Sequence, residues 1–175
     1  LRFMYANHIV HMDLKPCNVC YDAKKHRFII IDFGRAQWLD AQDVVSDQNP
    51  VPCGAYIYNS PENLSMVVRY YKKKKVSPHL HCDTRHDLYS VGLVLLYCLM
   101  GRHAHSVEVT DDLAMATSVL KKINDRDALP EEMQWREEKE KMRNYLSPPS
   151  RGNEENIRAL GTLMFEGLLL TNPTK

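Results

Sequence analysis

His11-Met12-Asp13-Leu14-Lys15-Pro16-Cys17-Asn18 places a carboxylate, an ammonium group and a side-chain amide within eight residues, and Asp32-Phe33-Gly34 follows fourteen residues after Asn18. These residue types suit one chemistry. A carboxylate can take up a hydroxyl proton, a lysine can face negative oxygens, and an asparagine with a second aspartate offers the hard oxygen ligands that Mg²⁺ prefers. Taken singly each has a plainer role, since Asp and Asn are common turn formers and Asp-Phe-Gly alone is a weak signal. Their order and separation favour a loop that handles phosphate.

Outward from this core, Asn18 to Tyr21 and Phe28 to Ile31 are short runs rich in β-branched and aromatic residues, separated by the charged stretch Asp22 to Arg27. They predict a small hairpin, with the motifs at strand ends where rigid neighbours hold them. Leu88 to Met100 has 13 residues without a charge. It is too short to span a bilayer and apolar on every side, which predicts a buried core helix. Ile157, Leu160, Leu163, Met164 and Leu168 predict a one-sided helix, opened by Asn153 to Glu155 and stopped by Pro173. Within Pro130 to Leu146, the pairs Glu132/Arg136 and Glu137/Lys141 have the four-residue spacing of an exposed helix, and Pro148 to Gly152 marks a loop. The fold class expected is mainly α with a small β-hairpin, an α+β arrangement.

At 175 residues, with 44% hydrophobic and 26% charged content, the chain suits one globular domain with a single core. A formal charge of +1 gives no global electrostatic case for nucleic acid or a membrane, and neither is expected as a partner. Five cysteines, at 17, 20, 53, 82 and 98, are odd in number and irregular in spacing, which points to a reducing compartment, cytoplasmic or nuclear. Cys17 and Cys20 have the spacing of half a zinc site, but no second pair at ligand spacing exists, so no structural metal is assigned. Leu64 to Arg85 and Gly101 to Glu155 read as long connections without an internal repeat. The first carries Tyr70-Tyr71-Lys72-Lys73-Lys74-Lys75, read as a solvated loop, with contact to phosphate, acidic substrate or RNA as the sharper reading.

The loop at 11–18 together with 32–34 resembles the catalytic and metal-binding loops of protein kinases. The resemblance continues in order. Gly54 to Glu62 is similar to the end of a kinase activation segment, and Asp87-Leu88-Tyr89-Ser90-Val91-Gly92 is similar to the start of the large central helix. Leu1 to Val10 resembles the helix that delivers the chain to the catalytic loop, and Leu169 to Lys175 the approach to the last helices. The resemblance thus implies the C-terminal lobe of a Ser/Thr-type protein kinase over residues 1–175, a partial domain. The family's Gly-rich loop, strand lysine and pairing glutamate are expected upstream of Leu1, in an N-lobe acting in cis. The arginine that pairs with Glu62 is expected past Lys175.

For individual residues the resemblance implies the following roles. Asp13 orients the substrate hydroxyl and receives its proton, and Lys15 sits against the transferring phosphate. Asn18 and Asp32 hold the Mg²⁺ of MgATP. Phe33 packs beneath Asp32, Gly34 permits a sharp turn after it, and His11 is a packed structural residue. Glu62 makes a structural ion pair, while Asp87 opens its helix as a cap and anchors the backbone of the catalytic loop. The activity implied is transfer of the γ-phosphate of MgATP to Ser or Thr hydroxyls of protein substrates, with the Ser/Thr class suggested by Lys15-Pro16 after Asp13-Leu14.

Some positions depart from the family. Met12 stands where many kinases have arginine, and Ser46 is the only Ser or Thr from Arg35 to Asn59, so activity without phosphorylation of that segment is expected. Ala55 replaces a threonine whose hydroxyl ties the catalytic aspartate and lysine together, and Gly101 to His105 lacks a Pro-Phe pair. Met12 and Ala55 leave a pseudokinase binding module as the alternative. A small-molecule kinase of related fold is a further one, opposed by Ser60-Pro61-Glu62 and by Asp87 to Gly92.

Overall fold

The computed structural model describes residues 1–42, 45, 55–73, 83–130, 133–146 and 159. In chain order, α1 (Arg2–Ala6) leads into β1 (Ile9–Val10), then β2 (Val19–Asp22), β3 (Arg27–Ile30) and β4 (Gln37–Trp38). Four longer helices follow: α2 (Pro61–Lys73), α3 (Thr84–Met100), α4 (Asp112–Asp127) and α5 (Arg136–Leu146). The chain is mostly helical with a few short strands. No described helix is long and apolar enough to cross a membrane.

The hairpin forms where its composition placed it, with β2 antiparallel to β3 and Val19 opposite Ile30. Its turn is closed by Asp22, whose Oδ1 accepts the Lys24 and Lys25 backbone N–H groups at 3.1 and 3.2 Å. Asn18 does not join β2; it ends a 3₁₀ turn over Pro16–Asn18. The helix expected from Leu1 to Val10 stops at Ala6. His8 adopts a left-handed backbone, φ 54°, and the chain reverses into β1, which pairs with β4.

The central helix α3 begins four residues before the uncharged run that predicted it. Its cap is Asp83, whose side chain accepts the Arg85 N–H, so Asp87 lies a turn inside and is not the cap. Gly101, at φ 67°, ends the helix and sends its N–H to the Tyr97 carbonyl. Leu93, Leu96 and Met100 of α3 pack with Tyr58, Tyr89 and Trp135 in one apolar cluster.

A second cluster joins two helices that the sequence reading had left as connections. Leu64 and Val67 of α2 meet Ala116, Val119 and Ile123 of α4, all at helical spacing. Both helices carry local start signals. The Ser60 hydroxyl accepts the Asn63 N–H at 3.4 Å, Pro61 takes the first helical position and Glu62 puts negative charge in the first turn. Asp111 accepts the Ala114 N–H at 2.7 Å, and Asp112 follows. Tyr70 to Lys73 therefore belong to helix rather than loop, whereas Lys74 and Lys75 lie outside the described residues. In α5, Glu137 meets Arg102 at 2.7 Å and Lys141 donates to the Met100 carbonyl at the end of α3, so neither pairs along the helix as the spacing suggested. The predicted helix at Ile157 to Leu168 (Ala159 apart), the loop at 148–152, Glu132, Ser46 and Gly54 also lie outside the described residues.

Two expectations follow. Leu64 is fully buried, so Leu64→Ala should cost about 2–5 kcal/mol of unfolding free energy, read from urea melts. His86 and His105 are both buried, and burial pulls their imidazoles down to about 4 and about 3 from an ordinary 6.5. The unfolded chain then binds protons that the folded chain does not, so stability should be full above pH 6.5 and fall as pH drops towards 4. Urea midpoints measured across that range check it; a flat profile contradicts it.

Candidate active site

The site is built around a carboxylate from another part of the chain. Asp87, fully buried in α3, accepts the His11 N–H on Oδ2 at 2.7 Å and the Met12 N–H on Oδ1 at 3.0 Å. Burial pushes its carboxyl above the ordinary range, against the downward pull of these two donors. The clamp matters because Met12 is left-handed, at φ 67°, a conformation that a non-glycine side chain holds only where its surroundings over-determine it.

His11 is buried and has both ring nitrogens engaged. Nδ1 accepts the Asp13 N–H at 3.3 Å, which assigns the ring proton to Nε2, 3.0 Å from the Ile31 carbonyl. Its ring also meets Phe33 edge-on, with centroids 5.0 Å apart. His11 thus fixes backbone on two sides and has no nitrogen left for proton transfer.

Asp13 is 5% exposed. Its Oδ2 receives Lys15 Nζ at 2.8 Å and Asn18 Nδ2 at 3.3 Å, while the same Asn18 nitrogen donates to the Asp13 backbone carbonyl at 2.8 Å. The other carboxylate oxygen, Oδ1, is buried and has no hydrogen-bond partner among the described residues. Pinning the Asn18 NH₂ group in this way presents its Oδ1 on the opposite side, where the Cys17 thiol touches it at 3.7 Å.

Asp32 is brought to this loop through its neighbour. Ile31 donates its N–H to the Asn18 carbonyl at 3.0 Å and offers its carbonyl to His11, so both polar atoms of the preceding residue are committed to the 11–18 loop. The Asp32 side chain is exposed, and it accepts the Gly34 N–H at 3.4 Å. The sharp turn expected at Gly34 falls instead on Asp32, which is left-handed at φ 62°. A Cβ at Gly34 would lie 3.2 Å from Asp32 Oδ1, so any larger residue there requires the exposed carboxylate to shift by a few tenths of an ångström. Phe33 leans on His11 and leaves half its surface exposed.

Hydrogen bonds thus gather His11, Asp13, Lys15, Asn18 and Asp87 directly, with Asp32 one peptide away. Glu62 stands apart from that network, exposed in the first turn of α2, where its charge helps to raise Arg85 beside Asp83. One residue escaped the sequence reading. His86, nearly fully buried, places Nδ1 3.2 Å from the Ser60 hydroxyl. The available signal was a histidine directly before Asp87, a polar pair at the start of an apolar helix. Chemically, the cluster can receive a hydroxyl proton at Asp13 Oδ1, set a cation beside it and offer the oxygens of Asn18 and Asp32 to a hard metal ion.

Comparison with known proteins extends this beyond the loop. Mitogen-activated protein kinase 15 of Caenorhabditis elegans is 33% identical over 107 residues, 58% of this chain and 20% of that protein. Serine/threonine-protein kinase atg1 of Dictyostelium discoideum is 31% identical over 65% of this chain and 15% of its own length. Human serine/threonine-protein kinase ULK1 is 26% identical over 66% of this chain and 10% of its length. The chain therefore matches only a minor part of each of these proteins. A solved structure, of the yeast RNA Pol II CTD kinase CTDK-1 complex, aligns over 67% of this chain and 32% of that chain with 19% identity and a TM-score of 0.48. The family model described as protein kinase domain matches residues 1–165, which takes in the Asp87 clamp, the 11–18 loop and Asp32 together, and the chain belongs to that family.

Proposed function

We propose that this chain is a C-terminal kinase lobe, a partial domain over 1–175, that transfers the γ-phosphate of MgATP to Ser or Thr hydroxyls of protein substrates when joined to an N-lobe in cis. The observation that carries the reading is Asp13 Oδ1, a buried carboxylate oxygen without a partner among the described residues, beside a paired lysine and a pinned asparagine. A hydroxyl donor is the partner that oxygen lacks. The reading places the protein in the cytoplasm or nucleus, as the cysteine pattern suggested.

The donors present fit MgATP. Asn18 Oδ1 and the Asp32 carboxylate are hard oxygen donors, and two protein groups suffice for Mg²⁺, whose remaining positions go to phosphates and water. When bound, MgATP supplies the phosphoryl group and a divalent cation that spreads its charge. The protein's own part is positioning. Asp13 receives the hydroxyl hydrogen bond and then the proton, a late event in a loose transition state, so aim counts for more than basicity. Lys15, held 2.8 Å from Asp13, keeps positive charge where the phosphate oxygens arrive. Met12 cannot grip a phosphorylated loop as an arginine would, which supports activity without phosphorylation of the segment at 35–59.

In the full-length protein that carries this chain, Asp13→Ala should lower the rate of phosphoryl transfer roughly 10²- to 10⁴-fold while leaving MgATP binding in place. Asp32→Asn should abolish Mg²⁺-dependent ATP binding, measured by titration of a fluorescent nucleotide with and without the metal. Unchanged turnover in the first, or unchanged binding in the second, contradicts the role assigned. MgATP binding by the unmodified protein without any transfer would favour the binding-module reading, which Met12 and Ala55 support.

A further inference from the structure

The ends of α3 and α4 and the start of α5 enclose an open cleft of about 270 Å³, the liquid volume of about nine water molecules. Three of its lining side chains are cations: Lys122 and Arg126, four residues apart and so on one face of α4, and Arg136, the first residue of α5. Arg126 is fixed by its neighbours. Its Nε and Nη2 both donate to Asp127 Oδ1, at 2.9 and 2.7 Å, and its guanidinium carbon lies 4.0 Å from the centre of the Trp135 ring, which covers one face of the plane. Nη1 is left buried, with no hydrogen-bond partner among the described residues. Trp135 itself is left-handed, at φ 55°, a conformation that a residue other than glycine holds only where its surroundings impose it. Lys122 donates to the Ser106 carbonyl, which occupies one of the three N–H groups of its ammonium. His105, buried in the wall, has Nε2 3.4 Å from the Tyr89 hydroxyl; burial, then the charges of Arg126 and Lys122, draw its imidazole down to about 3, so the ring stays neutral. Two carboxylates line the cleft as well, Glu137 and Glu138. With Arg126 paired to Asp127 and Glu137 to Arg102, what remains is Lys122 and Arg136 against Glu138, a positive balance.

We propose that this cleft is an anion site that binds a phosphate monoester. A carboxylate has two oxygens in one plane and is satisfied by one edge of one guanidinium. Here the Lys122 ammonium, Arg126 Nη1 and the Arg136 guanidinium reach one small cleft from two helices, and three separate donor groups match the three oxygens of a phosphate. A ligand oxygen also supplies the acceptor that the buried Nη1 lacks. The strain at Trp135 is accounted for in the same terms, since the indole turned onto Arg126 holds the guanidinium by its face and leaves its edges for hydrogen bonds. The cleft has room for the phosphate group and a short stem, whether the group belongs to a small free molecule or to a phosphorylated side chain. None of these residues belongs to the segments 11–18 or 32–34, so the site stands whether or not the chain transfers phosphate.

Calorimetric titration of the full-length protein tests this, with inorganic phosphate, acetate, a phosphoserine peptide and the same peptide unphosphorylated, all at one ionic strength. Phosphate should bind saturably and about 10-fold or more tighter than acetate. Lys122→Gln and Arg136→Gln, both at exposed positions and so expected to leave the melting temperature unchanged, should each weaken phosphate binding about 10- to 100-fold, the loss of one hydrogen bond to a charged group. Glu138→Gln should tighten it. A phosphoserine peptide that binds more tightly than both inorganic phosphate and its unphosphorylated form supports the site with a phosphorylated protein as the source. Inorganic phosphate that binds as well as the phosphopeptide supports it with a free phosphate compound as the source. The proposal is overturned if neither phosphate nor the phosphopeptide binds saturably, or if acetate binds as tightly as phosphate. It is overturned equally if binding survives both Lys122→Gln and Arg136→Gln, which would place the anion elsewhere, as at the 11–18 loop.

Discussion

One carboxylate, Asp87, accepts two successive backbone N–H groups from a loop 75 and 76 residues earlier in the chain, and the arrangement of everything chemical in this protein depends on that pair of bonds. Hydrogen bonds to a charged acceptor are the strong kind, and a buried carboxylate stripped of its donors is costly. The helix that carries Asp87 is therefore locked to the loop, and the loop can keep a left-handed methionine that no local preference would select. From there the order spreads outward through His11 to Ile31, and through Asn18 to Asp13 and back to Ile31.

The site shows a division of labour between buried and exposed groups. Asp13, Asn18, His11, His86 and Asp87 are all buried, each with a hydrogen bond that fixes its direction. Asp32 and Gly34 sit at the surface on a 3₁₀ turn, tied in through the peptide before them. Buried dipoles set in advance cost no reorganisation when charge develops.

Much of this was legible because it is contiguous. The chemistry of 11–18 needs side chains at fixed short separations, and the uncharged run ending at Met100 announced its burial by composition alone. The helices α2 and α4 were not read, although Ser60-Pro61-Glu62 and Asp111-Asp112 are sound helix starts. Their apolar stripes are diluted by Tyr70, Lys72, Lys121 and Lys122, so the periodicity is weak until the two faces are seen against each other. The part played by Asp87 needed the resemblance to suggest it, because a cap and a distant anchor look alike until Asp83 is found capping the helix instead. Strands of two residues, as in β1 and β4, leave no local pattern at all. His86 was invisible for a related reason: its partner, Ser60, is 26 residues away.

The crowding at Gly34 carries an implication for substitution there. A single methyl group there presses on the Asp32 carboxylate at 3.2 Å, whereas the buried apolar clusters are untouched by it. One nucleotide exchange in a glycine codon thus requires a small shift of the Asp32 carboxylate and leaves the apolar clusters as they are. Position 34 thus separates the two properties: the carboxylate takes up the change and the folded shape does not.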